Sequence, residues 1–166
     1  MSAAAGSGAS APVPPVVPGM PVVPGMPVMP GMTIPTLHLP PLDLATLARY
    51  AEASGDHAPV HLDAGYARAL GFPGVIAHGL LVMAWLGRAL TGWQDQRSLR
   101  AFSCRFVAVT LLDEALSCIG TVRALRDVGA ERLAELDLRV CDQRGEVKIR
   151  GSATLVLDPK QVSACA

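Results

Sequence analysis

From residue 102 to residue 157 the chain alternates apolar and polar positions with a period of two. Phe102, Cys104, Phe106 and Ala108 are interleaved with Ser103 and Arg105, and Leu136, Leu138 and Val140 with Glu135, Asp137 and Arg139. Val147, Ile149, Gly151, Ala153, Leu155 and Leu157 alternate with Lys148, Arg150, Ser152 and Thr154. Successive strand side chains point to opposite faces, so each stretch presents one apolar face. That is the mark of an antiparallel sheet covered on one side. Residues 115–125 predict a further strand with weaker alternation, while Gly129 and the Asp142–Gly145 segment predict hairpin turns.

Upstream the period changes. Leu44, Leu47, Ala48 and Ala51 fall at i, i+3, i+4 and i+7 behind Asp43, a good cap, which predicts a helix from Asp43 to Ala53 ended by Ser54-Gly55. Thr36 to Leu39 predicts a short strand stopped by Pro40-Pro41. Asp63 to Leu70 predicts a short helix that Asp63 caps and Gly71 ends. After the Gly71-Phe72-Pro73-Gly74 turn, the chain is nearly all apolar from Val75 to Leu90. A helix over 76–90 is shorter than the roughly 20 residues a bilayer requires, and it contains His78. It reads as a buried central helix covering the apolar face of the sheet, with no membrane insertion.

Residues 1–36 follow neither period. They hold nine of the 14 prolines and five of the six methionines, carry no charge, and repeat PGMPVV, PGMPVM and PGM between Pro18 and Met32. Proline at this density removes backbone donors and fixes φ, so a disordered or polyproline-like tail is expected. The expected organisation is thus a tail over 1–36, a domain over 37–158 and a C-terminal tail over 159–166. Lys and Arg total 14, as do Asp and Glu, and nothing in that balance suggests a nucleic-acid surface or a membrane-binding polybasic patch. Cys104, Cys118, Cys141 and Cys165 show no zinc-type spacing. The first three lie in strand-like stretches and read as small buried thiols. Met1–Ser10 lacks the pattern of a secretory signal, so a cytoplasmic protein with reduced thiols is expected.

The chemistry concentrates in Asp56-His57-Ala58-Pro59-Val60-His61 and Ile76-Ala77-His78-Gly79. Asp and His transfer protons near neutral pH, and a glycine entering a helix offers an unshielded N–H to developing negative charge. Without further context Asp56 reads as a turn residue and His61 as a surface or capping histidine.

Tyr50 through His61, together with Gly71-Phe72 and Ile76-Ala77-His78-Gly79-Leu80, resembles the hydratase 2 motif of MaoC-like proteins. The resemblance covers roughly residues 37–157. It implies an α+β hot-dog fold, an antiparallel sheet wrapped around a long central helix, in a protein that is usually dimeric. It also implies (R)-specific 3-hydroxyacyl-thioester dehydratase or enoyl-thioester hydratase activity on an acyl-CoA or acyl-carrier-protein substrate. Asp56 and His61 would hold the water, and the Gly79 N–H would serve as oxyanion donor, with Ser54, Pro59 and His78 in support. No metal or other cofactor is implied. Homodimerisation, or pairing with a second hot-dog subunit, is the expected assembly. The family pattern Gly-Asp-x-Asn-Pro-x-His has Ala58 at its Asn position, and alanine can neither donate nor accept there. This departure motivates the rival expectations: an attenuated subunit that binds thioesters, or an enzyme of polyketide biosynthesis using the site for isomerisation or cyclisation. Tyr50, Met83, Trp85 and Trp93 read as core or acyl-pocket lining. Arg88, Arg97, Arg100 and Arg105 read as solvated, with the phosphates of coenzyme A as the alternative.

Overall fold

A computed structural model describes residues 19, 21–22 and 26–158. In order they form β1 (Leu37–Pro41), α1 (Leu44–Ser54), α2 (Ala64–Ala69), α3 (Gly79–Trp93), β2 (Leu99–Phe106), β3 (Ala115–Val128), β4 (Glu131–Cys141) and β5 (Val147–Val156). Short 3-10 turns occupy Pro59–His61 and Gln96–Ser98. The strands make one antiparallel five-stranded sheet in the order β1-β3-β4-β5-β2. α3 crosses its apolar face, and Leu81, Val82, Leu86, Ala89 and Leu90 are buried there with Leu116, Cys118, Val122, Leu136, Val140 and Leu155. This is the hot-dog arrangement. Truncating a fully buried residue such as Leu86 costs ~2–5 kcal/mol, because the cavity adds to the lost transfer energy.

Several boundaries differ from expectation, and three of them bear on the site. β1 runs through Pro40 and Pro41 instead of stopping before them. It is an edge strand paired only with β3, so its outer side needs no donors. α3 begins three residues late and runs to Trp93. Tertiary bonds hold the preceding segment extended: Ile76 bridges Leu111, and the Ala77 N–H donates to the Thr110 carbonyl at 2.8 Å. β2 starts at Leu99 and ends at Phe106, so Ala108 belongs to the loop that follows. By contrast, α1 starts as expected, with the Asp43 carboxylate accepting from the Thr46 N–H at 2.7 Å. Hydrogen bonding from the Thr46 side chain, and after it from this N–H, holds the Asp43 carboxyl below its ordinary range.

The expected tail requires correction over its last part. Residues 26–36 lie against the domain, with Val28, Met32 and Ile34 buried in the core. Gly31 N–H donates to Val122 O at 2.8 Å, Val122 N–H to Met32 O at 2.8 Å and Ile34 N–H to Gly120 O at 3.0 Å. The segment therefore continues along β3 beyond β1, where its apolar side chains find a face to cover. Gly120 makes this contact feasible, since a Cβ there would come within 2.9 Å of the Ile34 side chain. The expectations for residues 1–18 and 159–166, including Cys165, lie outside the described residues. Cys118 and Cys141 are buried and Cys104 partly so. Burial pushes the Cys118 thiol up to about 12, leaving it an unreactive protonated group at neutral pH.

Candidate active site

α1 delivers the first residue of the site. Its last turn closes on Gly55, whose positive φ of 75° turns the chain back on itself. Ser54 Oγ donates to the Tyr50 carbonyl at 2.7 Å and accepts from the Asp56 N–H at 3.3 Å, which fixes the exit of the loop. The Asp56 carboxylate accepts from the Ala58 N–H at 3.3 Å and stays 53% exposed. Pro59 then opens a 3-10 turn, with the preset φ of a first helical position, and the turn ends on His61.

The His61 ring is half-buried. Its Nδ1 lies 2.8 Å from the Ile76 carbonyl, which can only accept, so in the neutral ring Nδ1 carries the proton. Nε2 is left with its lone pair free, 3.9 Å from the Asp56 carboxylate. That gap is too long for a hydrogen bond, and both groups can address one water. His78 caps α3 from beneath. Its Nε2–H donates to the Asp56 main-chain carbonyl at 3.0 Å, and its ring stacks on His61 at 3.9 Å and meets Tyr50 edge-on at 4.9 Å. His78 is 1% exposed, and its Nδ1 has no partner among the described residues. Gly79 and Leu80 follow as the first residues of α3, where N–H groups have no acceptor within the helix.

A pocket of about 210 Å³ opens beside these groups, lined by His61, Gly79, Ala77, Val82, Phe106, Val109, Thr110 and Ile149, among others. Its inner residues Ala77, Val82, Thr110 and Ile149 are buried, while Phe106 and Val109 are exposed at the rim. A Cβ on Gly79 would stand 3.2 Å from the Phe106 ring. Glycine here keeps the helix start open to the pocket.

The structure thus brings Asp56, His61, His78 and Gly79 together, with Ser54 and Pro59 shaping the loop. Tyr50 touches His78, but it does not line this pocket, and neither do Met83 and Trp85, which pack partly buried against the core. Phe106, Val109 and Thr110 were not identified from sequence: they belong to the end of β2 and the loop after it, where period-two reading stops. Asp56, His61 and His78 also carry metal-ligand types, with ligand atoms within 4.8 Å of one another. The stacked histidines argue against joint ligation in this conformation. Imidazole lone pairs lie in the ring plane, and two rings tilted by only 30° at 3.9 Å do not converge on one ion.

Residues 23–142 match the model of the MaoC-like domain family. The chain belongs to that family. Among solved structures, an (R)-hydratase from A. caviae involved in PHA biosynthesis superposes with a TM-score of 0.68 at 24% identity, over 79% of this chain and 98% of that one. An R-hydratase from Pseudomonas aeruginosa gives a TM-score of 0.67 at 25% identity, over 80% and 83% of the two chains. The ChsH1-ChsH2 complex from Mycobacterium tuberculosis gives 0.65 at 20% identity, covering 76% and 95%. The β subunit of the Saccharomyces cerevisiae fatty acid synthase is 28% identical over 106 residues, which are 60% of this MaoC-like chain and 5% of the yeast one. No helix among the described residues is long and apolar enough to cross a membrane.

Proposed function

We propose that this MaoC-like protein is an (R)-specific 3-hydroxyacyl-thioester dehydratase and enoyl-thioester hydratase. Its substrate is an acyl-CoA or acyl-carrier-protein thioester of fatty-acid or polyketide metabolism, and it works in the cytoplasm. One observation carries the reading: the Ile76 carbonyl fixes the tautomer of His61, so a free Nε2 faces the Asp56 carboxylate across 3.9 Å beside the start of α3.

In the hydration direction, His61 Nε2 and the Asp56 carboxylate hold a water over the β-carbon. The water oxygen bonds to that carbon as one of its protons passes to the His61–Asp56 pair, and the pair delivers a proton to the α-carbon on the same side. Negative charge develops on the thioester oxygen, where the Gly79 N–H receives it. One donor of this kind contributes about 3–4 kcal/mol in comparable sites. His78 is a positioning residue: it holds the Asp56 main chain and stacks on His61. The test is hydration of crotonyl-CoA, and dehydration of a carrier-bound 3-hydroxyacyl group, by wild type, Asp56→Asn and His61→Ala. Activity retained in both variants would remove the assignment.

Assembly is part of the same reading. β2 is an edge strand, and Leu80, Phe106, Val107 and Val109 leave an exposed apolar rim beside the pocket. A second hot-dog chain, identical or different, is the occupant we assign to this rim. The solved ChsH1-ChsH2 complex supports pairing between two such chains.

Ala58 favours one second reading, in which the subunit binds thioesters with attenuated turnover or uses the site for isomerisation or cyclisation. Ala58 sits directly before Pro59, partly buried, and contributes only its backbone to the loop. Ala58→Asn separates the readings. A large gain in hydration marks an attenuated hydratase, whereas tight thioester binding with no turnover before or after marks a binding subunit.

A further inference from the structure

A second pocket lies away from Asp56 and His61. It is a shallow groove of about 460 Å³ lined by Thr121, Asp137, Leu138, Arg139, Arg150 and Gly151. Its arginines stand on the sheet face away from α3. Ser103 and Ser152 share that face, their hydroxyls 3.0 Å apart, whereas the neighbouring Ala153 is buried in the core and Phe102 packs against it. Arg105 and Arg150 are two residues from these serines along their strands and so point the same way.

The register sets the arginines in a row. Arg105 on β2 lies directly opposite Arg150 on β5, and Arg150 directly opposite Arg139 on β4. Directly opposed Cβ atoms are only about 4.5–5.5 Å apart, and like charges so placed destabilise a sheet. All three are exposed, and none forms an ion pair among the described residues. The other strand arginines are neutralised: Arg100 by Glu131 at 2.7 Å, Arg123 and Arg126 by Glu135 at 2.9 and 2.8 Å, and Arg132 by Asp127 at 3.8 Å. Among the strand arginines, uncompensated charge is therefore confined to one row, and two of its three members, Arg139 and Arg150, line the groove.

We propose that Arg105, Arg150 and Arg139 form a binding site for a phosphate or pyrophosphate group presented by a small molecule. Planar guanidinium forks match phosphate oxygens two at a time, and a bound anion removes the mutual repulsion of the row. Asp137, one row away opposite Ser152, restricts the ligand. It repels a long polyanion such as a nucleic-acid strand but leaves the arginine row to a compact group. The formal net charge of zero likewise gives a polyanion no overall attraction to the chain. The site is independent of whether Asp56 and His61 catalyse hydration. The phosphate can come from a free phosphate or from the nucleotide half of a thioester carrier.

Calorimetric titration of the full chain tests this, with inorganic pyrophosphate, coenzyme A and pantetheine as probes. Wild type and Arg88→Gln should bind pyrophosphate alike, while Arg139→Gln/Arg150→Gln should bind it at least 10-fold more weakly. Arginine-dependent binding of coenzyme A tighter than that of pyrophosphate, with none of pantetheine, would assign the phosphate to a nucleotide-linked carrier. Equal or weaker binding of coenzyme A would assign it to a free phosphate. The melting temperature of unliganded Arg150→Gln should rise, since the central charge of the row is gone; a merely solvated arginine would leave it unchanged. Equal pyrophosphate affinity in wild type and double variant, or none in either at millimolar concentration, would overturn the site. So would arginine-dependent binding of a single-stranded oligonucleotide without binding of pyrophosphate.

Discussion

Two polar clusters border the loop between β2 and β3, and they follow opposite rules. Asp56, His61 and His78 form the first. Its carboxylate is more than half exposed, the carboxylate and the His61 imidazole stand 3.9 Å apart, and one buried imidazole nitrogen lacks a partner among the described residues. Lys148, Glu114, Asp142 and Glu146 form the second. Lys148 is 2% exposed, with its Nζ donating to Glu114 at 2.9 Å and Glu146 at 2.6 Å, and Asp142 stands 3.7 Å away. Asp142 also accepts the backbone N–H groups of Arg144 and Glu146, and Glu114 that of Leu111. The Lys148 carbonyl accepts from Val107 and Ala108, so this cluster grips the loop that supplies Val109 and Thr110 to the pocket. A satisfied cluster fixes a shape. A cluster with open valences is available to react.

The comparison breaks first if activity does not follow the open cluster. Asp56→Asn or His61→Ala should each lower hydration about 10²–10⁴-fold, the usual share of a positioned proton-transfer group. Stability should shift by no more than about 0.5 kcal/mol for the exposed Asp56, as read by denaturant titration. Lys148→Met should do the reverse. It strands two buried carboxylates and should cost about 3–5 kcal/mol of stability. A smaller loss would show that water reaches the cluster.

Truncation of the N-terminal strap comes next. Ile34→Ala should cost about 2–4 kcal/mol, because Ile34 is 1% exposed and packs over Gly120. A cost near zero would mean that this stretch is not part of the folded core.

The smallest effect is the pH dependence. Burial opposes the charge on Lys148, but its bonds to Glu146 and Glu114 outweigh it and raise the pKa above the ordinary 10.5. This contribution is complete below pH 10.5 and is lost as pH rises through the raised value. Burial likewise opposes ionisation of Asp142, and the backbone N–H groups of Glu146 and Arg144 outweigh it and hold the carboxyl below 3.8. Its contribution is present above pH 3.8 and is lost as pH falls through the lowered value. Denaturation midpoints against pH should show both slopes in wild type and lose the alkaline one in Lys148→Met.

Local chemistry made much of this molecule legible in its sequence. Asp43 caps α1 because a carboxylate three residues ahead of Thr46 can hardly do otherwise, and Asp56 with His61 stands at a spacing that a single loop brings together. What sequence concealed is non-local. The start of α3 depends on Ile76 finding Leu111, and the fate of residues 26–36 on a glycine at 120 that leaves room for Ile34. Lys148 sits on the alternating pattern as an outward polar residue. Nothing near it in sequence shows that Glu114, more than thirty residues earlier, will bury it. The pocket rim escaped for the same reason: Phe106 and Val109 matter through their distance from Gly79 and not through any period.

In the proposed mechanism Asp56 and His61 act on one water as a unit. A double-mutant cycle on crotonyl-CoA hydration tests this most directly, comparing Asp56→Asn, His61→Ala and the double variant. Groups that act as a unit are strongly non-additive, so the double variant should be no more than about threefold slower than the slower single variant. Losses that multiply would mean two independent roles and would contradict the account.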